Sequence, residues 1–307
     1  MPTALVTGGA GFIGSTLVRE LLGDGYDVRI YDDLSSGSLD HLAGLDVELV
    51  RGDVRELDPL SDAAKGCDVL FHLAAGAGVV DSINDPLANF DLNARGTLTA
   101  LWAAHQAGVG RLVFSSSNAP LGANAHPASE EKPVAPLSPY GASKATGEAY
   151  CSAFHGAYGM DAVAVRFSNA YGPRSSRKGN VIPVFIRAIL AGEPLTIYGD
   201  GSQTRDFVYV SDLARGLILA ATADGAGGRI FQLASGVETS LQQLVDLLCE
   251  TAGRDVEVLH EGVRAGEILR NYSLIDRARS ELGFAPAVDL AEGLRRTWDW
   301  FTLPAGE

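Results

Sequence analysis

Through the first half of the chain, short apolar runs rich in β-branched residues alternate with longer segments of helical period. The runs TALVT (3–7), DVRIYD (27–32), VELV (47–50), VLFHL (69–73), RLVF (111–114) and AVAVRF (162–167) each predict a strand. Between them lie segments whose apolar positions recur every three or four residues, beginning with FIGSTLVRELLGDG. Near-continuous apolar strands separated by helices predict right-handed βαβ units, and so an α/β fold with a doubly wound parallel sheet covered on both faces. After RFSNAYGP the character changes to a basic loop, a helix at VIPVFIRAILAG, a turn-rich YGDGSQTRDFVYV, and helices mixed with short strands such as DVEVL. The change places a loose boundary near residue 168. It divides a first domain, 1–168, from a smaller mixed α/β domain, 169–307, some of whose elements are expected to pack back on the first.

Composition narrows the picture. With 307 residues and 46% of them hydrophobic, the chain has ample material for a core. A formal charge of −14 excludes the basic footprint that nucleic-acid binding needs. An anionic ligand must therefore be held by a local site. No apolar run approaches the ~18 residues of a membrane span, and MPTALVTGGAGFIG enters strand-like sequence without a basic region or cleavage site, so a cytoplasmic location is expected. Cys67, Cys151 and Cys249 match no metal-ligand spacing; they read as reduced, mostly buried thiols, and no metal is expected.

Candidate chemistry begins in ALVTGGAGFIGSTL. Gly8, Gly11 and Gly14 are spaced G-x-x-G-x-x-G, after a strand and at the start of a helix that opens with Phe12 and Ile13. Glycines there permit a tight turn, a close backbone approach to a pyrophosphate, and close packing of helix on strand. Asp32 ends the second strand, 18 residues beyond Gly14. A carboxylate at that place accepts hydrogen bonds from adenosine ribose hydroxyls and repels the extra phosphate of NADP, which favours NAD. Asp33 reads as a solvated turn residue. Asp53 and Val54, in GDVR after the third strand, are placed to flank an adenine. In SPYGASKATGEAY, Tyr140 and Lys144 stand four residues apart at the start of a helical pattern, and so share one face. An ammonium beside a phenol lowers the phenol's pKa from about 10, which makes Tyr140 a candidate base. Upstream, SSSNAPLG puts three serines at a strand end.

As a set, TGGAGFIG, YGASK, RFSNAYGP, TRDFVYVSDLARG and RAGE resemble the extended short-chain dehydrogenases/reductases of the nucleotide-sugar epimerase and dehydratase branch, over nearly the whole chain. The resemblance implies a Rossmann domain carrying NAD, a smaller C-terminal domain holding a nucleoside diphosphate sugar, and a cleft between them. By motif, Tyr140 is the base, Lys144 tunes it and binds the nicotinamide ribose, and Ser117 hydrogen-bonds the reacting sugar oxygen. Ala74, Asn93 and Ser115 line the NAD site, and Phe167 lies next to the nicotinamide. Asn169 and Asn180 contact the diphosphate and sugar, Val181 lies near a uracil, and Arg205 and Arg264 pair with phosphate oxygens, a task suited to guanidinium forks. Members of the branch pair the helices corresponding to LANFDLNARGTLTALWAAHQAG and YGASKATGEAYCSAFHGAYG across a two-fold axis, so a homodimer through a four-helix bundle is expected.

The residues after Ser117 choose among reactions. Relatives that dehydrate or decarboxylate carry an acid one or two positions after that hydroxyl, to remove a proton from carbon. Here stand Asn118 and Ala119, and neither can do so. What remains is oxidation and reduction at C4, for which the resemblance implies an NAD-dependent UDP-sugar 4-epimerase. A 4-ketoreductase or dehydratase relative is the second enzymatic reading, and a non-catalytic dinucleotide-binding sensor the third. Pro120 and Leu121 replace the usual Val-Tyr and alter the expected sugar-pocket wall. Asn271 stands seven residues past Arg264, where a bulky aromatic in some relatives excludes N-acetylated sugars; a one-residue slip would put Tyr272 there.

Overall fold

The computed structural model describes residues 1–124, 127–176, 178–263 and 269–303. The predicted strands become β1 (Thr3–Thr7), β2 (Asp27–Asp32), β3 (Glu48–Arg51), β4 (Val69–His72), β5 (Arg111–Ser117) and β6 (Asp161–Phe167), with α1 (Phe12–Gly23) and α2 (Leu57–Ala64) between the early ones. Before β5 come α3 (Val79–Asn84), α4 (Pro86–Asn89) and α5 (Gly96–Ala107), and before β6 the 20-residue α6 (Pro139–Tyr158). The later chain supplies β7 (Asn169–Tyr171), α7 (Val181–Ala191), β8 (Leu195–Tyr198), β9 (Thr204–Arg205), β10 (Phe207–Tyr209), α8 (Val210–Thr222) and β11 (Ile230–Leu233). It ends with β12 (Thr239–Ser240), α9 (Leu241–Ala252), β13 (Val258–Glu261), α10 (Asp276–Leu282) and α11 (Leu290–Thr302).

Seven strands form one parallel sheet in the order β11-β6-β5-β4-β1-β2-β3. Both faces are buried, which is why its strands read as apolar runs and not as alternating ones. Ala4 and Val6 of β1 face a core shared with Leu17 of α1 and Leu213 of α8, whereas Leu5 faces one shared with Leu60, Leu101 and Phe154 of α2, α5 and α6. Past residue 168 the chain returns to this sheet: β11 pairs with β6, and α8 packs on α1. A third core unites α7, β8, β10, α9 and α11 around Ile186, Ile197, Leu244 and Leu294.

Asp206 ties the parts together. It is fully buried; its carboxylate accepts from the Ser235 amide and hydroxyl and from the amides of Gly236 and Ser273, while its carbonyl accepts from Asn169.

Strand order reverses between β1 and β4, so the loops after these two neighbours diverge and leave a crevice at their carboxyl ends. The helix predicted through LANFDLNARG is interrupted by a π-helical stretch, Phe90–Arg95, between α4 and α5. The wider turn matters because it carries Asn93, whose side chain reaches Gly76 and Ser143.

Candidate active site

The crevice holds a cavity. Gly8, Gly11, Phe12, Ile13 and Gly14 line one side, Asp32, Asp53 and Val54 the end beyond β2 and β3, and Ala74, Ser115, Tyr140, Lys144 and Phe167 the other end. Eleven of these thirteen come from six different strand ends and the segments that follow them, the other two from α6, and only the crossover topology brings them together. At the turn after β1, Gly8 has φ +71°, and a Cβ there would stand 2.7 Å from the Ala74 nitrogen. A Cβ on Gly14 would fall 2.1 Å from the Gly8 oxygen. Both positions accept only glycine. The close approach leaves α1 opening behind Gly11 with no side-chain cap on its first amides and no acid in its first turn. Those amides and the positive end of the helix dipole suit an anion.

Asp32 is 7% exposed, and its Oδ2 and Oδ1 accept from the amides of Ala10 (2.9 Å) and Leu34 (2.8 Å). Burial pushes its carboxyl up, and these two amides act against the rise. Each oxygen keeps lone pairs for ribose hydroxyls. Asp33 is exposed and accepts from the amide and hydroxyl of Ser35, as a turn residue should. Asp53 is gripped by the Arg55 guanidinium, which holds it below the usual carboxylate range. Arg55 also donates to Asp91 at 3.0 Å, so this end of the crevice is braced by an ion-pair chain.

At the far end, α6 begins with Ser138, whose hydroxyl accepts from the Gly141 amide, followed by Pro139 in the first turn. This start sets Tyr140 one residue into the helix, where the Ser82 hydroxyl accepts from its amide at 3.1 Å. Tyr140 and Ser117 are hydrogen-bonded through their side chains. Lys144, 4% exposed, donates from Nζ to the Ser115 carbonyl at 2.8 Å and lies 6.0 Å from the Tyr140 ring centre. Two of its three N–H bonds remain for a ligand.

The electrostatics correct one expectation. Burial pushes the Tyr140 phenol up, and the group acting against that rise is Ser117, not Lys144. Lys144 is itself pulled down to about 7 because its ammonium is desolvated.

Other expected residues stand elsewhere. Asn93 does not line the cavity; it is 2% exposed and braces Gly76 from behind, accepting from its amide at 2.8 Å and donating to its carbonyl at 3.0 Å. Asn169 is turned to the Asp206 carbonyl at 3.2 Å, Asn180 is an exposed residue just before α7, Val181 opens that helix, and Arg205 donates to the Thr204 carbonyl. None of these four lines the cavity that holds Tyr140. Arg264 lies outside the described residues. Asn271 keeps a buried side-chain oxygen without a hydrogen-bond partner among the described residues. Asn118 is 9% exposed and donates to the Ser273 hydroxyl at 3.0 Å; Pro120 and Leu121 are buried, not cavity wall.

Sequence reasoning missed Lys178, which lines the cavity from the loop before α7, half-buried and with its ammonium pulled down by desolvation. It makes no side-chain hydrogen bond or ion pair among the described residues. Ser35 and Ser36, which line the cavity beside Asp32 and Asp33, were also missed, although their place two and three residues after Asp33 was a signal.

Comparison with known proteins agrees with this geometry. Residues 4–234 match the model of the NAD dependent epimerase/dehydratase family. The chain is 39% identical over 306 residues to the UDP-glucose 4-epimerase of Mycolicibacterium smegmatis, covering 97% of each chain. It is also 39% identical over 310 residues to the dTDP-glucose 4,6-dehydratase of Streptomyces griseus, covering 97% of this chain and 93% of that one. Among solved structures it is similar to the UDP-N-acetylglucosamine 4-epimerase from Methanobrevibacter ruminantium M1 in complex with UDP-N-acetylmuramic acid. That match has a TM-score of 0.93 at 36% identity and covers 98% of both chains. The glycine turn that no Cβ fits, the uncapped amides of α1 and the buried Asp32 suit the dinucleotide that this family uses. The chain belongs to the NAD dependent epimerase/dehydratase family, enzymes of nucleotide-sugar chemistry.

Proposed function

We propose that this enzyme is a UDP-sugar 4-epimerase, and one observation carries the choice over dehydration. Among the described residues, the acids lining the cavity are Asp32, Asp33 and Asp53, all at the adenosine end, and none lines it beside Tyr140. Elimination across C5 and C6 needs a base for a carbon-bound proton, and Asn118 and Ala119, following Ser117, offer none.

Gly8, Gly11, Gly14, Asp32, Asp53, Val54, Ala74, Ser115 and Phe167 would hold NAD, which supplies the hydride acceptor and donor for C4. Ser117 orients the C4 oxygen. Tyr140 takes the hydroxyl proton as the 4-keto sugar forms, and returns it once the sugar has presented its opposite face. The Ser117 hydrogen bond favours the phenolate that this exchange requires, and Lys144, 6.0 Å from the ring centre, is left to hold the nicotinamide ribose. Substrate contacts fall to Asn169, Asn180, Val181, Arg205 and Arg264 on the later chain. The unpartnered oxygen of Asn271 makes that residue our choice for the one that admits or rejects an N-acetyl group; turnover confined to the non-acetylated sugar would refute the wider pocket.

The test is Tyr140→Phe. It should abolish turnover of UDP-glucose while leaving bound NAD and thermal stability in place; full retention of turnover would refute the assignment.

We also infer a homodimer through α5 and α6. Tyr158 at the end of α6 is exposed, and so are Val80, Ile83, Leu87 and Phe90 on the neighbouring segment. Light scattering should give twice the chain's 32.2 kDa; a single-chain mass would contradict the pairing.

A further inference from the structure

Behind the cleft the protein buries two cations beside one carboxylate. Glu148 follows Lys144 by one helical turn on α6 and is 4% exposed; Arg166, on β6, is 1% exposed. Arg166 grips the carboxylate bidentately, Nε to Oε1 and Nη2 to Oε2, both at 2.7 Å, and the Ser116 hydroxyl donates to Oε1 at 2.6 Å. Ser116 stands between Ser115, whose carbonyl receives Lys144, and Ser117, which is hydrogen-bonded to Tyr140. A buried ion pair is often no more stabilising than apolar side chains of similar volume, so its presence here asks for a role besides holding the fold.

The groups facing Lys144 define that role. Tyr140 lies on the same helix, Phe114 and Ser115 approach from β5, and His72 from β4. His72, enclosed between the Thr7 and Thr97 hydroxyls, is held neutral by burial, with its pKa pulled down to about 3. Cys151, also near Glu148, is a buried thiol pushed up and therefore uncharged. Among the described residues, Glu148 is thus the negative charge acting on Lys144, and it works against the desolvation that drives the ammonium down.

We propose that Glu148 is a positioning residue for the reaction: clamped by Arg166 and Ser116, it is the counter-charge that keeps Lys144 an ammonium in the dry wall of the cleft. It touches neither substrate nor cofactor and acts through Lys144. The proposal rests on the reading of Tyr140 and Lys144 as the working pair. It also explains why the carboxylate is held by three hydrogen bonds: a mobile Glu148 would pair with Lys144 directly and withdraw it from the ribose.

Glu148→Gln alone strands Arg166 as an unpaired buried charge, so the decisive variant is Glu148→Gln with Arg166→Met, which removes both charges. Two pH profiles are read against wild type, alongside melting temperature: kcat on UDP-glucose, and the affinity of cofactor-stripped protein for NAD. The expected result is a folded double variant whose alkaline limb moves about one pH unit lower in both profiles, with kcat at pH 8.5 about tenfold down and KM little changed. A folded double variant with wild-type profiles, or one losing activity equally at every pH, would overturn the proposal. If wild-type protein turns over no sugar nucleotide, the reading of Tyr140 fails. The NAD profile then still decides the role of Glu148, since an unshifted limb refutes it.

Discussion

Gly14→Ala is the sharpest test of the cofactor turn. The new Cβ would lie 2.1 Å from the Gly8 oxygen, 2.8 Å from the Gly9 Cα and 2.9 Å from the Gly8 carbonyl carbon. All three are backbone atoms, and the Gly8 carbonyl also accepts from the Gly11 amide at 3.1 Å, so no rotamer change relieves the clash. The strand and helix must move apart by about an ångström at the place where β1 feeds α1. Overpacking of this kind costs about 1–3 kcal/mol, and a rigid obstacle puts it near the top of the range. At about 2–4 °C per kcal/mol for a chain of this size, the melting temperature should fall by roughly 6–12 °C. NAD should cease to co-purify, because the α1 amides no longer face the cleft from the same place. Gly11→Ala is the control. Its Cβ meets only the Gly8 oxygen at 3.1 Å, so its melting temperature should stay within about 2 °C of wild type. Scanning fluorimetry with and without NAD reads both variants. A Gly14→Ala protein that melts like wild type and retains NAD would refute the argument.

Two further outcomes follow from buried titrating groups. His72 is held neutral in the folded protein with a pKa near 3, below the value of about 6.5 it has when unfolded. Its contribution to stability is therefore present above about pH 6.5 and is lost as pH falls towards 3. Between pH 7 and pH 5 this amounts to about 2 kcal/mol. Urea unfolding at the two pH values should show a loss smaller by that amount in His72→Gln, and an identical loss in both proteins would contradict the assignment. Lys178→Met removes a desolvated ammonium that has no carboxylate partner among the described residues, from a cavity already lined by the dinucleotide residues. It should leave the melting temperature unlowered and weaken NAD binding at least tenfold by equilibrium dialysis; unchanged affinity would exclude Lys178 from the cofactor site.

Much of the fold was legible because a parallel sheet buried on both faces writes itself as apolar runs, and β1, β2, β4, β5 and β6 appear where those runs stand. Glycine spacing located the phosphate turn, since only glycine survives at positions 8 and 14. Helical spacing joined Tyr140 to Lys144. The same spacing extends to Glu148, but its partner Arg166 comes from a strand 18 residues on, and pairing across a helix–sheet interface leaves no local periodicity. The π-helical stretch that aims Asn93 at Gly76 is equally silent in sequence, because six residues are too few to display a period of their own. Lys178 lies in a polar loop whose composition resembles any surface turn. Charge environments were the least legible: that burial would dominate both Tyr140 and Lys144 depends on how tightly α6 closes on β5, which is tertiary information.

The central claim is the proton and hydride exchange at C4 of a UDP-sugar without net oxidation. Purified protein carrying its own NAD, with no cofactor added, should be incubated with UDP-glucose and followed by proton NMR of the sugar's anomeric and C4 signals. The account predicts growth of the C4 epimer, UDP-galactose, to a stable ratio with no net absorbance change at the reduced-nicotinamide band, and none of this with Tyr140→Phe. Formation of a 4-keto-6-deoxy sugar in place of the epimer would contradict it.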